Sequence, residues 1–552
     1  MTTRRPARAL VALGSALCLS ACVSIPTSGP VARGDVTVVE HGPIDVLAEG
    51  PRPGAAPSQV VEGFLLAGGA GYIGDFTTAR EYLTGAARQD WQPRAGVIVA
   101  DGAKVTEPSE GVVVLEVPVL ARVDADGVYT EAAPGANESV TFELERDESD
   151  EWRIVSAPDG LIVTSRLFQQ EFRPTPLYFL SVDNTYLVPE TRWLPARKLQ
   201  TSVARALLAG PSAWLQDAVG TAVPQGVQLI PESVTIDASG VAKVNLEPPR
   251  LVLGLDASTR GDLLAQFDKS LREVPSVGSV QVSTGGVPLD GDSDLQRAGV
   301  TDGPVEMVRG RALVRLVGSK LEPVPGVTEL PSGAHDPARD AAGELRVFVT
   351  GNGALVTAPT AEDPSLTLVP DLVSVAPSVD RFGWVWTGRH GSGLLAVAPG
   401  AEPVEVSAPW LEGRTLRAVS MARDGTRLAV VSSGSDGDTI DVCAIVRDDT
   451  GAPQAAGTPL RVGAAMVEAT RVTWIDDVTL GVLGRSTGGV AVHRVPVSGP
   501  TVALPEVPGI ASFAGGRIIY ATIDDGTMRQ YGSLTWTVVP GVAGVRDADY
   551  PG

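Results

Sequence analysis

A short unit recurs through the C-terminal half of this 552-residue chain. It is a polar turn followed by a brief apolar strand. It reads Gly343-Glu344-Leu345-Arg346-Val347-Phe348, then Asp380-Arg381-Phe382-Gly383-Trp384-Val385, then Asp424-Gly425-Thr426-Arg427-Leu428-Ala429-Val430-Val431. Asp476-Asp477-Val478-Thr479-Leu480-Gly481-Val482 and Gly516-Arg517-Ile518-Ile519-Tyr520 follow. The leading apolar residues Leu345, Phe382, Leu428, Leu480 and Ile518 lie 37, 46, 52 and 38 residues apart. One four-stranded unit that stacks on its neighbours needs about 40–50 residues, the repeat of a β-propeller blade. Residues 301–552 are therefore expected to form an all-β propeller of five or six blades. A β-sandwich with accidental repeats is the competing reading.

The middle of the chain alternates helical and strand patterns, as two α+β domains would. In 57–175, Val61, Phe64 and Leu65 have helical spacing, as do Ala79, Tyr82 and Leu83. Alternating strands follow at Val112–Val117, 140–144 and 152–154. Two helices followed by a curved antiparallel sheet resemble the cone-shaped, nuclear-transport-factor-2-like folds. In 176–300, residues 177–180 and 185–188 flank a turn at Asp183-Asn184, which predicts a hairpin. Thr201 is the expected cap of one helix, and Ser258 or Thr259 of another. Strands are expected over 227–236, 241–246 and 277–283.

The N-terminus carries an export signal. Arg4, Arg5 and Arg8 precede an apolar stretch from Ala9 to Leu19 that is too short to span a bilayer. It ends in Leu19-Ser20-Ala21-Cys22, which resembles the lipobox of bacterial lipoproteins. That resemblance implies cleavage between Ala21 and Cys22, with S-diacylglycerol and N-palmitoyl groups on Cys22. Residues 1–21 are then a signal peptide and 22–56 a Pro/Gly-broken tether, in which Val36-Thr37-Val38-Val39 is a candidate edge strand. The chain is expected to be anchored on the extracytoplasmic face of the cell membrane.

Charge and composition narrow the function. The formal net charge of −21 disfavours nucleic acid, whose phosphates call for a basic surface. Three cysteines form no CxxC, four histidines form no HExxH, and no glycine is followed by lysine. No metal or cofactor is expected. Cys443 sits in an apolar strand pattern and is expected to be a buried, inert thiol.

A more specific resemblance lies in spaced blocks. Leu187-Val188-Pro189-Glu190-Thr191-Arg192, Ala206-Leu207-Leu208-Ala209-Gly210-Pro211, Thr221-Ala222-Val223-Pro224-Gln225-Gly226 and Val241-Ala242-Lys243-Val244-Asn245-Leu246 look like a GerMN domain, a non-catalytic module of sporulation and germination proteins. Lipobox, α+β domain, GerMN domain and propeller, in that order, resemble the actinobacterial LpqB lipoprotein family. The resemblance implies an accessory protein, not an enzyme. Its implied partner is the extracellular region of an MtrB-like sensor histidine kinase of the MtrAB two-component system, with effects on envelope homeostasis and division. A module that binds wall glycan or peptide is the alternative, and an envelope hydrolase is a third reading.

Individual motifs have plainer readings. Gly484-Arg485-Ser486-Thr487-Gly488 matches GxSxG, but strand patterns on both sides favour a hairpin loop over a nucleophile elbow. Asp290, Asp292 and Asp294 alternate like a calcium loop, yet Leu295 and Thr301 stand where Gly and Glu are needed. The acidic run Glu143–Glu151 reads as a wet strand and hairpin tip. Trp384, Trp386 and Trp474 read as inter-blade packing, with an aromatic binding rim as the other possibility.

Overall fold

The computed structural model describes residues 49–300, 303–370, 375–389 and 393–551. The lipobox residues Leu19, Ser20, Ala21 and Cys22, the 36–39 segment, Thr301 and His390 lie outside them. No helix among the described residues is long and apolar enough to cross a membrane.

The first domain lays the helix Pro57–Gly69 across a curved sheet, burying Val60, Val61, Phe64 and Ala67 at its apolar spacing. Tyr82 donates its hydroxyl to the Glu49 carbonyl at 2.8 Å, and Gly54 N donates to Glu151. Residues 49–54 are thus tied to the domain, although the sequence assigns them to the tether. The strand Val112–Asp124 alternates buried and exposed side chains and forms the sheet's spine. The sheet is mixed: Gly96–Ala100 runs antiparallel to that spine and parallel to Leu161–Thr164. A wholly antiparallel sheet was expected. Between the two parallel strands the chain runs through antiparallel strands from Lys104 to Ser156, and that long excursion, not a helix, is the crossover such pairing requires.

The second domain opens with the expected hairpin, Phe172–Ser181 against Tyr186–Pro195, turning at Asn184 in the left-handed region. Two expected helix caps differ. Lys198 stands before the helix Leu199–Ala209, and Thr201 lies inside it, buried, accepting from Val234 N. Asp256 caps Ala257–Leu271 by accepting from Thr259 N at 2.9 Å. Asp outranks Thr as a cap because its carboxylate also meets the positive end of the helix dipole. The expected strand 227–236 is broken into Gln228–Leu229 and Thr235–Ile236, because Pro231 cannot donate to a ladder.

The C-terminal domain is a β-propeller. Among the described residues six sheets of four or five strands succeed one another along the chain. The last strand, Val545–Asp549, pairs with the first, Glu306–Arg309, and closes the ring. The expected strand start at Phe382 is a turn instead, with the strand beginning at Val385. Phe382 is drawn out by two arginines that lie over its ring.

Candidate functional site

The GerMN-type blocks meet in space, and their polar residues are used internally. Glu190 and Arg192 are both buried, with Arg192 Nη2 donating to Glu190 Oε2 at 2.7 Å and to the Gly210 carbonyl at 2.7 Å. Ser212 donates to the other Glu190 oxygen. Gln266, on the helix Ala257–Leu271, accepts from Ala222 N. Asn245 donates to the Ile230 carbonyl at 2.7 Å. Each block therefore supplies one end of a hydrogen bond inside the domain, buried for Glu190 and Ala222 and partly or wholly exposed for Gly210 and Asn245.

A seam joins this domain to the propeller. Arg381 reaches both oxygens of Asp183 at 2.7 Å and donates Nε to the Asp424 carbonyl. Its guanidinium lies 4.7 Å from the Tyr186 ring and 4.0 Å from the Phe382 ring. Arg447 covers the other part of this stack, 4.4 Å from Phe382 and 5.6 Å from Trp386. Burial opposes the charge on Asp183, but hydrogen bonds from Arg381, Ser181 and Thr185 outweigh it and hold the carboxyl far below the usual range. Deeper in, Arg427 and Asp424 are buried together at 2.6 Å, and Arg427 Nη1 donates to the Pro189 carbonyl. Arg297 bonds Asp477 at 2.7 Å and lies over the Tyr178 ring. One hydrophobic cluster runs through both domains, from Leu177, Phe179 and Phe267 to Ala429, Val431 and Val482.

The first domain, together with Trp193 of the second, grips the fifth propeller sheet. Tyr129 N donates to Ser498 Oγ at 2.8 Å, and Trp193 Nε1 to the Ser498 carbonyl at 2.9 Å. Glu131 accepts from Thr501 N and Oγ1.

The inner strands of the propeller enclose a cavity of about 90 Å³. Asp336, Arg471, Asp547 and Asp549 line it. Arg471 Nη1 donates to Asp336 at 2.8 Å, and its Nη2 stands 3.7 Å from Asp547. His335 Nδ1 lies 2.9 Å from Asp336. Burial works against ionisation of Asp336, yet the His335 hydrogen bond and Arg471 bring it down to about 2. Burial instead raises Asp549 to about 8, only partly offset by Arg339. Asp336 is thus spent on Arg471, and among the described residues no group of three His, Cys, Asp or Glu is placed to hold a metal.

Ser486 sits in the hairpin between Thr479–Arg485 and Val490–Pro496. A strand, not a helix, follows it, so the nucleophile-elbow geometry is absent there. Its Oγ lies 3.0 Å from Nε2 of the buried His493, whose Nδ1 faces the Ala491 carbonyl. Asp290 is held at its carbonyl by Arg260, and Asp292 packs its backbone on Gly261. Trp386 and Trp474 are buried, with Nε1 donating to Asp380 and to the Ser420 carbonyl; Trp384 is partly buried against the same core. They form packing, not a rim. Asp147 closes the acidic hairpin by accepting from Ser149 N and Glu151 N. Cys443 is buried, and burial pushes its thiol pKa up. Arg297, Arg381 and Arg447 carried no sequence signal, since their partners Asp477, Asp183 and Asp380 lie far off in the chain, whereas Arg427 pairs with Asp424 three residues before it.

Three family models match successive parts of the chain. Residues 50–169 match the N-terminal domain of lipoprotein LpqB, residues 176–290 the sporulation and spore germination domain, and residues 311–551 the LpqB β-propeller domain. Lipoprotein LpqB of Streptomyces coelicolor is 29% identical, covering 95% of this chain and 93% of its own. That of Thermobifida fusca is 27% identical over 94% and 95%. That of Mycobacterium tuberculosis is 26% identical over 56% of each chain. With its three domains matched in order and its relatives aligned nearly end to end, the chain belongs to the actinobacterial LpqB lipoprotein family.

Proposed function

We propose that this chain is a non-catalytic lipoprotein, lipidated on Cys22 and held at the outer face of the cell membrane. There it acts as an accessory partner of an MtrB-like sensor histidine kinase and influences envelope homeostasis and division. The observation that carries this reading is the seam. Arginine–carboxylate pairs and a shared core join the GerMN-type domain to the propeller, and the first domain locks onto Ser498 and Thr501. Charged groups that an enzyme would turn toward a substrate are here turned toward each other. Such an assembly suits a scaffold that presents a surface to another protein.

In-cell crosslinking of the full-length protein beside a Cys22→Ala form tests the proposal. Capture of the kinase by the full-length protein, reduced when the anchor is removed, is the expected result. Enrichment of wall fragments with no kinase would replace it with the wall-binding reading.

A further inference from the structure

The propeller ring is closed by strand pairing between the two ends of the domain. Its first sheet takes Glu306–Arg309, Ala312–Val317 and Lys320–Pro323 from the start of the domain and its fourth strand, Val545–Asp549, from the end of the chain. Arg309 pairs with Val545 and Val308 with Arg546, and the register then shifts at a bulge where Asp547 adopts φ +50°. One pair lies beyond the bulge, Glu306 opposite Asp549. Directly opposed residues share a side of the sheet, and like charges there repel. The two acids are provided for unequally. Glu306 is buried, Arg346 bonds both of its oxygens at 3.2 Å, and Arg339 Nε stands 3.2 Å from Oε1. Asp549 lines the central cavity, supported by the Tyr550 backbone N–H, and among the described residues no arginine forms an ion pair with it. Glu306, Asp336 and Arg339 act on it from the neighbouring strands, Arg471 from the fifth sheet and Asp547 from its own strand. The sixth sheet brings Tyr520, whose ring meets that of Tyr550. Arg339 is engaged with Glu306 and Arg471 with Asp336, so an ionised Asp549 has only a shared counter-charge.

We propose that the ring closure is a proton-controlled latch, in which a protonated Asp549 keeps the closing strand seated beside Glu306 and its ionisation lets the strand lift. Burial supports this by raising the Asp549 carboxyl to about 8 in the closed ring, against about 4 in an open chain. Lifting the strand returns Asp549 to water, where it releases its proton. Opening therefore becomes easier as pH rises from about 4 toward 8 and gains nothing further above that. Release is local, because the strand is held at this end by one register pair beyond the bulge. A chain held outside the membrane, as proposed above, meets external pH directly, and the latch sets how firmly its propeller is closed.

Hydrogen exchange of the full chain from pH 5 to 9, corrected for the intrinsic pH dependence of exchange, tests the latch. Amides of Val545–Asp549 are expected to lose protection by up to tenfold per pH unit between about pH 5 and 8, the slope for one released proton, and to level off above. Their protection stays below that of Thr415–Met421, in the fourth sheet, throughout. Asp549→Asn, which has no proton to release, flattens the profile. His335→Gln removes the other titrating group beside Asp336 and leaves the profile as it is. A flat profile in the unaltered protein overturns the latch, as does an unchanged slope in Asp549→Asn or a slope lost in His335→Gln. Equal protection of the two strands at every pH means that they open only together, and overturns it as well.

Discussion

Arg381 and Asp183, 198 residues apart in sequence, meet through two bonds of 2.7 Å across the seam between the propeller and the GerMN-type domain. Two parallel N–H···O bonds fix direction as well as distance, which a lysine could not do. Arg381→Ala is expected to cost about 2–3 kcal/mol, the range for hydrogen bonds to charged groups. Arg381→Lys recovers only part of it. Urea unfolding of the two variants and a double-mutant cycle with Asp183→Asn measure the coupling. Because the folded Asp183 carboxyl lies below its unfolded value, its contribution is complete above about pH 4–5 and is lost as pH falls further.

The buried pair Asp424–Arg427 behaves differently. Asp424→Asn leaves the Arg427 charge inside the seam, and breaking such a pair costs about 3–5 kcal/mol. Replacing both residues by apolar ones of similar size is expected to cost less than the single change. Chemical denaturation of the single and double variants decides this.

Asp549 sets a pH dependence of the opposite sign. Its folded value, about 8, lies above the unfolded value near 4. Its contribution is therefore fully present below about pH 4 and is lost as pH rises toward 8. Asp549→Asn, which mimics the neutral acid, is expected to stabilise the protein by about 1–2 kcal/mol at pH 8 and to change little at pH 4. The residue is only partly shielded from solvent, so this figure is well below the full linkage value. Thermal melts across that range give the answer.

Ser486→Ala removes a hydrogen bond to buried His493 and is expected to cost about 1 kcal/mol. A fluorophosphonate probe should leave Ser486 unlabelled in the folded protein. Stoichiometric labelling would revive the hydrolase reading.

Cys443 should react with a thiol reagent only as the protein unfolds. Its burial keeps the thiol protonated, and the thiolate is the reactive form. Labelling rates should track the unfolding curve in urea, with no fast phase in buffer.

What was legible in the sequence was local. Period-two alternation along Val112–Asp124 and polar turns before Arg427–Gly434 and Thr479–Arg485 are properties of a few consecutive residues. Backbone hydrogen bonding converts them directly into strands. Helix caps were harder to read, because neighbouring Ser, Thr and Asp compete for one site, and Asp256 won over Ser258 and Thr259. Phe382 looked like a strand residue because its apolar character is the same whether it faces a core or two guanidinium groups.

The sequence by itself determined the order of the domains, the strand repeat of the propeller and the GerMN-type blocks, because each is written in local spacing. Tertiary structure alone decided what the charged turns do. Asp183, Arg381, Asp424, Arg427 and Arg447 each look like solvated turn or strand-edge residues in the linear chain. Only when the ring closes and the second domain settles on it do they lose water together. Desolvation then makes ion pairing the one arrangement that tolerates their charge, across 198 residues for Arg381 and Asp183 and within one turn for Asp424 and Arg427.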